Sequence, residues 1–183
     1  MAGSLNDIFT VIQNGVVAVN NLAQQIAGTF NRITLQTAYG EQTAYTSGTS
    51  SMAGAADTIP QITDGTLLLQ VSITPRLSTS QLLVRATITA TNGTPSNMWA
   101  AIFKDNITSA IGSVGIGVAN GDAMVPTSFT VQTTSGTTSP INFTLHIGLF
   151  NGGAGSWIVN GVSAARRLGG SQRTTMTIEE IKT

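Results

Sequence analysis

From Asp64 onward, apolar and polar residues alternate with period two in short runs, and a turn signal closes most of them. Leu82, Val84, Ala86 and Ile88 share one side of an extended chain with mostly polar residues between them, and Met176 and Ile178 repeat the arrangement. A helix cannot gather such a set, because its facing positions recur every three or four residues. The spacing predicts strands over residues 66–74, 80–90, 97–104, 110–118, 127–133, 141–150, 157–159 and 173–181. Pro60, Pro75, Pro95, Pro126 and Pro140 all fall at predicted strand boundaries, where a missing N–H does least harm. Asn92-Gly93, Asn120-Gly121, Asn151-Gly152 and Asn160-Gly161 supply turns between them. Short strands at this spacing predict a mainly β chain whose core is a two-sheet sandwich of jelly-roll type.

The first part of the chain has a different period. Leu5, Ile12, Val19, Ile26 and Ile33 recur with a seven-residue step, Ile8 and Leu22 occupy the alternate seam position, and Phe9, Val16, Ala23 and Phe30 widen the stripe. A seam this broad predicts a helix that associates in threes rather than pairs. Ser4 with Asp7 three residues later forms a candidate N-terminal cap. Gly15 and Thr29 weaken the second seam position, and the flanks carry Asn, Gln, Ala and Val in place of Glu and Lys. The helix is therefore read as a trimeric coiled coil or as a docking helix, with packing on its own domain as the alternative.

Between these zones, Gln36-Thr37-Ala38-Tyr39 returns as Gln42-Thr43-Ala44-Tyr45 in a Ser/Thr/Gly/Ala-rich stretch. Two copies do not establish an array, so the stretch is read as a linker or first strand. The expected organisation is an anchoring or trimerising helix over residues 1–35, that segment over 36–61, and the sandwich over 62–183.

Composition limits the partners. Charged residues make up 9% of the chain, against about 25% in an average soluble domain. Eight Lys+Arg balance eight Asp+Glu, so no broad positive field exists to hold nucleic acid. A surface of neutral hydroxyls and amides suits a chain covered by copies of itself or carried on a large assembly. Cysteine is absent, which removes disulfides and thiolate chemistry. Residues 1–7 lack the basic start of a signal peptide, and no apolar run approaches the roughly 18 residues of a membrane span.

The residues that carry chemistry are sparse. His146 is the lone histidine, on the strand side opposite Phe143, Leu145 and Ile147, and no nucleophile elbow accompanies it. It is read as structural or interfacial, with a charge change near pH 6.5 of potential use in assembly. Asp57, Asp64, Asp105 and Asp122 stand alone in turns, and a metal site from Asp105, Asn106 and Asp122 is a minor candidate. Glu179 and Glu180 face opposite sides of one strand and cannot act as a pair. Gly112, Gly115 and Gly117 do not make a dinucleotide fingerprint. Catalytic, cofactor and metal residues are expected to be absent. The one concentration of charge is Arg166-Arg167 with Arg173 six residues on, which with Trp157 forms a candidate contact for an acidic sugar or lipopolysaccharide phosphate. The plainer reading pairs these arginines with Glu179, Glu180 or a neighbouring subunit.

The stretch SPINFTLHIG, a Gly-rich turn, SWIVNG and then GGSQRTTMTIEEIK resembles the C-terminal ending of tailed-bacteriophage tail-fibre, virion-spike and head-decoration proteins. There, a tumour-necrosis-factor-like jelly roll closes on a Ser/Thr-rich last strand. SQLLVRATITATNG with AAIFKD is similar to the early strands of those domains, and the likeness covers roughly residues 65–183. The resemblance implies a homotrimer whose N-terminal helix anchors to capsid, neck or tail, on the exterior of a virion made in a host cytoplasm. It implies a non-enzymatic structural subunit first. The alternative is a receptor-binding module whose sandwich takes a host-surface glycan.

Overall fold

The computed structural model describes residues 4–29, 33–52, 57–94, 96–105, 107–118, 123–151 and 153–182, without the side chains of residues 8, 23, 24 and 26–29. The helix α1 spans Leu5–Thr29. Its start is fixed by a reciprocal cap: the Ser4 N–H donates to Asp7 Oδ2 at 2.8 Å, and the Asp7 N–H donates to Ser4 Oγ at 3.3 Å. Strands follow in the order β1 (Thr34–Gln42), β2 (Thr46–Gly48), β3 (Ser51–Met52), β4 (Thr66–Ile73), β5 (Gln81–Asn92), β6 (Ser96–Lys104) and β7 (Gly112–Val118). Then come β8 (Val125–Thr134), β9 (Ile141–Phe150), β10 (Trp157–Val159), β11 (Gly161–Val162), β12 (Ala165–Arg166) and β13 (Thr174–Ile181).

Two curled sheets stack as a jelly-roll sandwich. In the first, β5 pairs along one side with β8, from Gln81↔Thr134 to Ala90↔Val125. Its other side takes β13 and then β10, which pair in turn with β1 and β2. In the second, β9 lies between β6 and β4, β7 flanks β6, and β3 runs parallel to the far end of β9. Leu82, Val84, Ala86, Ile88 and Ala90 of β5 pack inward against Phe143, Leu145 and Ile147 of β9 and their neighbours. Each lost methylene in such a core is felt, because the interior is close-packed.

Local departures have local causes. Three consecutive leucines, Leu67 to Leu69, cannot alternate, and a register shift between Leu67 and Leu69 turns Leu68 inward and leaves Leu67 exposed. β8 begins at Val125 rather than 127, which takes Pro126 into the strand. The proline sits on the exposed face of a strand at the sheet edge, where it is tolerated. β6 reads as a continuous apolar run because both its faces are covered: Met98, Ala100 and Ile102 face the main core, and Ala101 and Phe103 join Met52 in a second, smaller cluster.

The segment between helix and sandwich carries β1 to β3, all paired with sandwich strands. Its two copies of Gln-Thr-Ala-Tyr take different structures. Tyr39 lies within β1, whereas Tyr45 follows a break in the strand and packs beside Gly161.

The registers define two poles. Thr34, Ile181, Gln81 and Thr134 lie side by side at the pole where the helix enters. Lys104 ties the second sheet to the same pole by donating from Nζ to the Thr134 carbonyl at 2.7 Å. Gln42, Thr174, Asn92 and Trp157 end at the opposite pole, together with the chain between β10 and β13.

Candidate functional site

Every described side chain of α1 is exposed. Leu5, Ile12, Val19 and Leu22 are 76%, 57%, 66% and 57% exposed, and Ile33 just beyond the helix is 37% exposed. Phe9 and Val16 extend the stripe, and Val11 and Val17, outside the heptad seam, add apolar surface on its flanks. The side chains of Ile8 and Ile26 lie outside the described residues. Packing of α1 on its own sandwich is therefore not what these residues do. An apolar helix with most of its described circumference uncovered is marginal alone in water.

The proposed sugar contact at the far pole is only partly assembled. Trp157 is 1% exposed and belongs to the core, its Nε1–H donating to Ser50 Oγ at 3.0 Å. A side chain at Gly48 would collide with its ring, so the chain has been shaped to bury this indole. That corrects the reading of Trp157 as a stacking face. Arg166 and Arg167 are exposed, and Leu168 is 73% exposed. Among the described residues neither arginine forms an ion pair. Arg173 is likewise not bound to Glu179 or Glu180. Its Nη1 lies 2.7 Å from Glu41 Oε2 across the exposed face of β1 and β13, and the Tyr39 hydroxyl donates to the same oxygen at 2.6 Å. Those two contacts hold the Glu41 carboxyl below its ordinary value, the Tyr39 hydrogen bond contributing most.

Glu180 is instead buried at the helix-entry pole. Its carboxylate accepts the Arg76 N–H at 2.8 Å, the Leu77 N–H at 3.0 Å, the Ser80 hydroxyl at 2.7 Å and the Gln36 amide at 2.6 Å. Burial pushes its pKa up, but the four donors together outweigh that and hold it below its ordinary value. This is a fastening of the loop after β4, which the chain between Ile73 and Gln81 needs because it has no ladder of its own.

His146 is 8% exposed on the outer side of β9, against the Phe103 ring at 4.8 Å. Its Nδ1 lies 3.1 Å from the Asp64 carbonyl, which can only accept, so the neutral ring carries its proton on Nδ1. Burial lowers its pKa, partly offset by that hydrogen bond. Asp64 accepts the Gln61 N–H and Asp105 accepts the Asn142 N–H, so these acids hold loops. Asn106 and Asp122 lie outside the described residues, and no metal-holding cluster occurs among the described ones.

A feature that sequence reasoning missed lies on the outer face of the second sheet. Trp99 points away from the main core because its neighbours Met98 and Ala100 point into it. It lines a cavity of about 360 Å³ with Asp57, Thr58, Ile59, Pro60 and Ser113. The signal was present in the alternation of NMWAAIFK, which puts Trp99 out of phase with Met98, Ala100 and Ile102.

Among the described residues no helix is long and apolar enough to cross a membrane. No protein-family model matches the chain, and no curated protein does. Solved structures with partial likeness include the C-terminal domain of EclA, a sugar-binding protein, at 12% identity and a TM-score of 0.38 over 69% of this chain and 76% of that one. The CBM36-1 domain of a multidomain xylanase from the hindgut metagenome of Trinervitermes trinervoides matches at 12% identity and a TM-score of 0.33, over 74% of this chain and 96% of that one. The VP2 subviral particle of infectious bursal disease virus matches at 13% identity and a TM-score of 0.38, over 82% of this chain and 38% of that one. Likeness at this level assigns no role to the chain, and function has to be argued from its own residues.

Proposed function

We propose that this protein is a non-enzymatic structural subunit of a bacteriophage particle: a homotrimeric short fibre, spike or decoration protein on the virion exterior, anchored by α1 with the sandwich projecting from it. The observation that carries the reading is the exposed apolar stripe of α1. Covering one such side chain is worth about 1.5–3 kcal/mol, and the stripe repeats it over several turns. Three parallel copies cover a broad seam, and Asp7 is the lone charge between Leu5 and Thr29, so copies do not repel. The low charge of the whole chain suits a subunit solubilised by its assembly. The phage assignment rests on the resemblance of residues 65–183 to fibre and spike endings.

A second reading, recognition of a host-surface glycan, is favoured by the exposure of Arg166, Arg167 and Leu168 at the pole away from the helix. The first reading is tested by light scattering on the full chain, with three times the chain mass of 18.9 kDa expected. A clean monomer at micromolar concentration refutes the trimer. Imaging of particles with a labelled subunit then places it on shell, neck or tail.

A further inference from the structure

We propose that the cavity beside Trp99 is a binding site for a neutral saccharide, a function separate from the helix and independent of what α1 docks on. The sandwich builds this site from small residues and one large ring. On β7 the residues opposite Trp99 and Asn97 are Gly115 and Gly117, so the indole has no side chain beside it along that edge. Gly115 instead lies under the ring, at 3.4 Å from where a Cβ would sit. The other side of the indole is braced by Phe150 at 5.9 Å. The ring is thus held in one place while part of it stays open to the cavity.

The opposite wall is held at one end. Ala110 donates to the Pro60 carbonyl at 2.9 Å and Ile62 to the Thr108 carbonyl at 2.7 Å, so the chain from Pro60 to Ile62 is pinned to the chain before β7. Ile59, 59% exposed, forms an apolar lip that no described residue covers.

The chemistry of the lining selects the ligand. A sugar ring offers an apolar C–H face and a rim of hydroxyls. The indole and Ile59 supply apolar surface for the face, and the Asp57 carboxylate with the Thr58 and Ser113 hydroxyls supplies partners for the rim. The indole Nε1–H is buried and meets no acceptor among the described residues. The lining holds one carboxylate and no cation, which disfavours uronic acids, sialic acids and phosphorylated sugars. The volume of about 360 Å³ falls in the range of small-ligand sites, about 300–1,000 Å³.

The test uses the full chain and a panel of neutral oligosaccharides of glucose, xylose, mannose and N-acetylglucosamine, with polygalacturonate as the anionic comparison. The chain has two tryptophans and the other, Trp157, is sealed in the core, so a saturable change in tryptophan emission reports Trp99. At least one neutral oligosaccharide is expected to give that change at millimolar concentration or below, confirmed by calorimetry. Trp99→Phe, which keeps a ring on Gly115, is expected to weaken it about tenfold or more with no fall in melting temperature, and Asp57→Ala to weaken it as well. Absence of saturable binding across the panel at millimolar concentration overturns the proposal. So does binding that both variants leave unchanged, or tighter binding of polygalacturonate than of every neutral sugar. The helix plays no part in any of these readouts.

Discussion

The helix α1 and the strand β5 are both rich in branched apolar residues, and they treat them oppositely. Leu82, Val84, Ala86, Ile88 and Ala90 of β5 are at most 1% exposed, covered by β9 and β6 of the same chain. On α1, Leu5, Ile12 and Val19 remain more than half exposed. A strand reaches its partners within one fold because the sandwich closes over one of its faces. The described side chains of the helix have no such cover. On the proposed reading the difference separates two jobs: the sandwich closes its own core, and the helix is left for assembly to cover.

The largest effect is expected where that separation is attacked directly. Ile12→Asp with Val19→Asp puts two charges on the stripe of each copy, in a seam where a partner would bury them. The double variant should lose its helical circular-dichroism signal and fail to enter particles, while the melting of the sandwich stays at the parent value. Normal incorporation of the variant sinks the anchor. A sandwich that melts much earlier shows instead that helix and sandwich share one core, and the comparison itself fails.

A smaller effect belongs to the sandwich alone. Glu180→Gln keeps the shape but turns an amide toward the N–H groups of Arg76 and Leu77, and hydrogen bonds to a buried charge are worth about 1.5–3 kcal/mol. The folded-state pKa of Glu180 is lowered, so the unfolded chain binds the proton more readily. Its contribution is complete above the ordinary value of 4.5 and is lost as pH falls below that value. His146 acts with the same sign in a higher window, because its pKa is lowered from 6.5 by burial. Melting temperature should therefore fall on acidification in two stages, and Glu180→Gln should lower the plateau and flatten the second stage alone. An unchanged acid limb means that the carboxylate is not the fastening described.

Much of this was legible in the sequence, for a physical reason. Period-two alternation is a direct imprint of a half-buried strand, so β4 to β10 and β13 were found within a few residues, whereas the two-residue β11 and β12 were not. The helix and its Ser4–Asp7 cap were legible for the same kind of reason. What escaped was everything set by contacts distant in sequence. Trp157 was read as an exposed ring because it neighbours Arg166 in sequence, yet its burial depends on Gly48, more than a hundred residues away. Trp99 was read only as part of a strand, because the open edge beside it comes from Gly115 on the next strand. The burial of Glu180 required the loop at Arg76 to Ser80 to fold over it, and an isolated Glu-Glu pair carries no sign of that.

The smallest effect is expected at the far pole. Arg166 and Arg167 were given two readings, pairing with Glu179, Glu180 or a neighbouring subunit, or contact with an anionic surface. Glu180 is taken by backbone and hydroxyl donors at the other end of the sandwich, so the first reading loses that partner. Glu179 pairs in register with Leu83 and Thr37, several residues along the strand from the chain that carries the arginines. The guanidinium of Arg166 lies over Gly170, a residue at φ +86°, and both arginines face solvent. Among the described residues neither guanidinium forms an ion pair. The double change Arg166→Ala with Arg167→Ala should leave melting temperature and oligomeric mass at parent values, in contrast to the helix variant. Particles carrying it should assemble normally, and counting adsorption to host cells then isolates what this pole does. Reduced adsorption with intact assembly marks the arginines as a host contact. A trimer that dissociates or melts earlier shows that the far pole, and not the helix alone, holds copies together, which would redraw the division between the two regions.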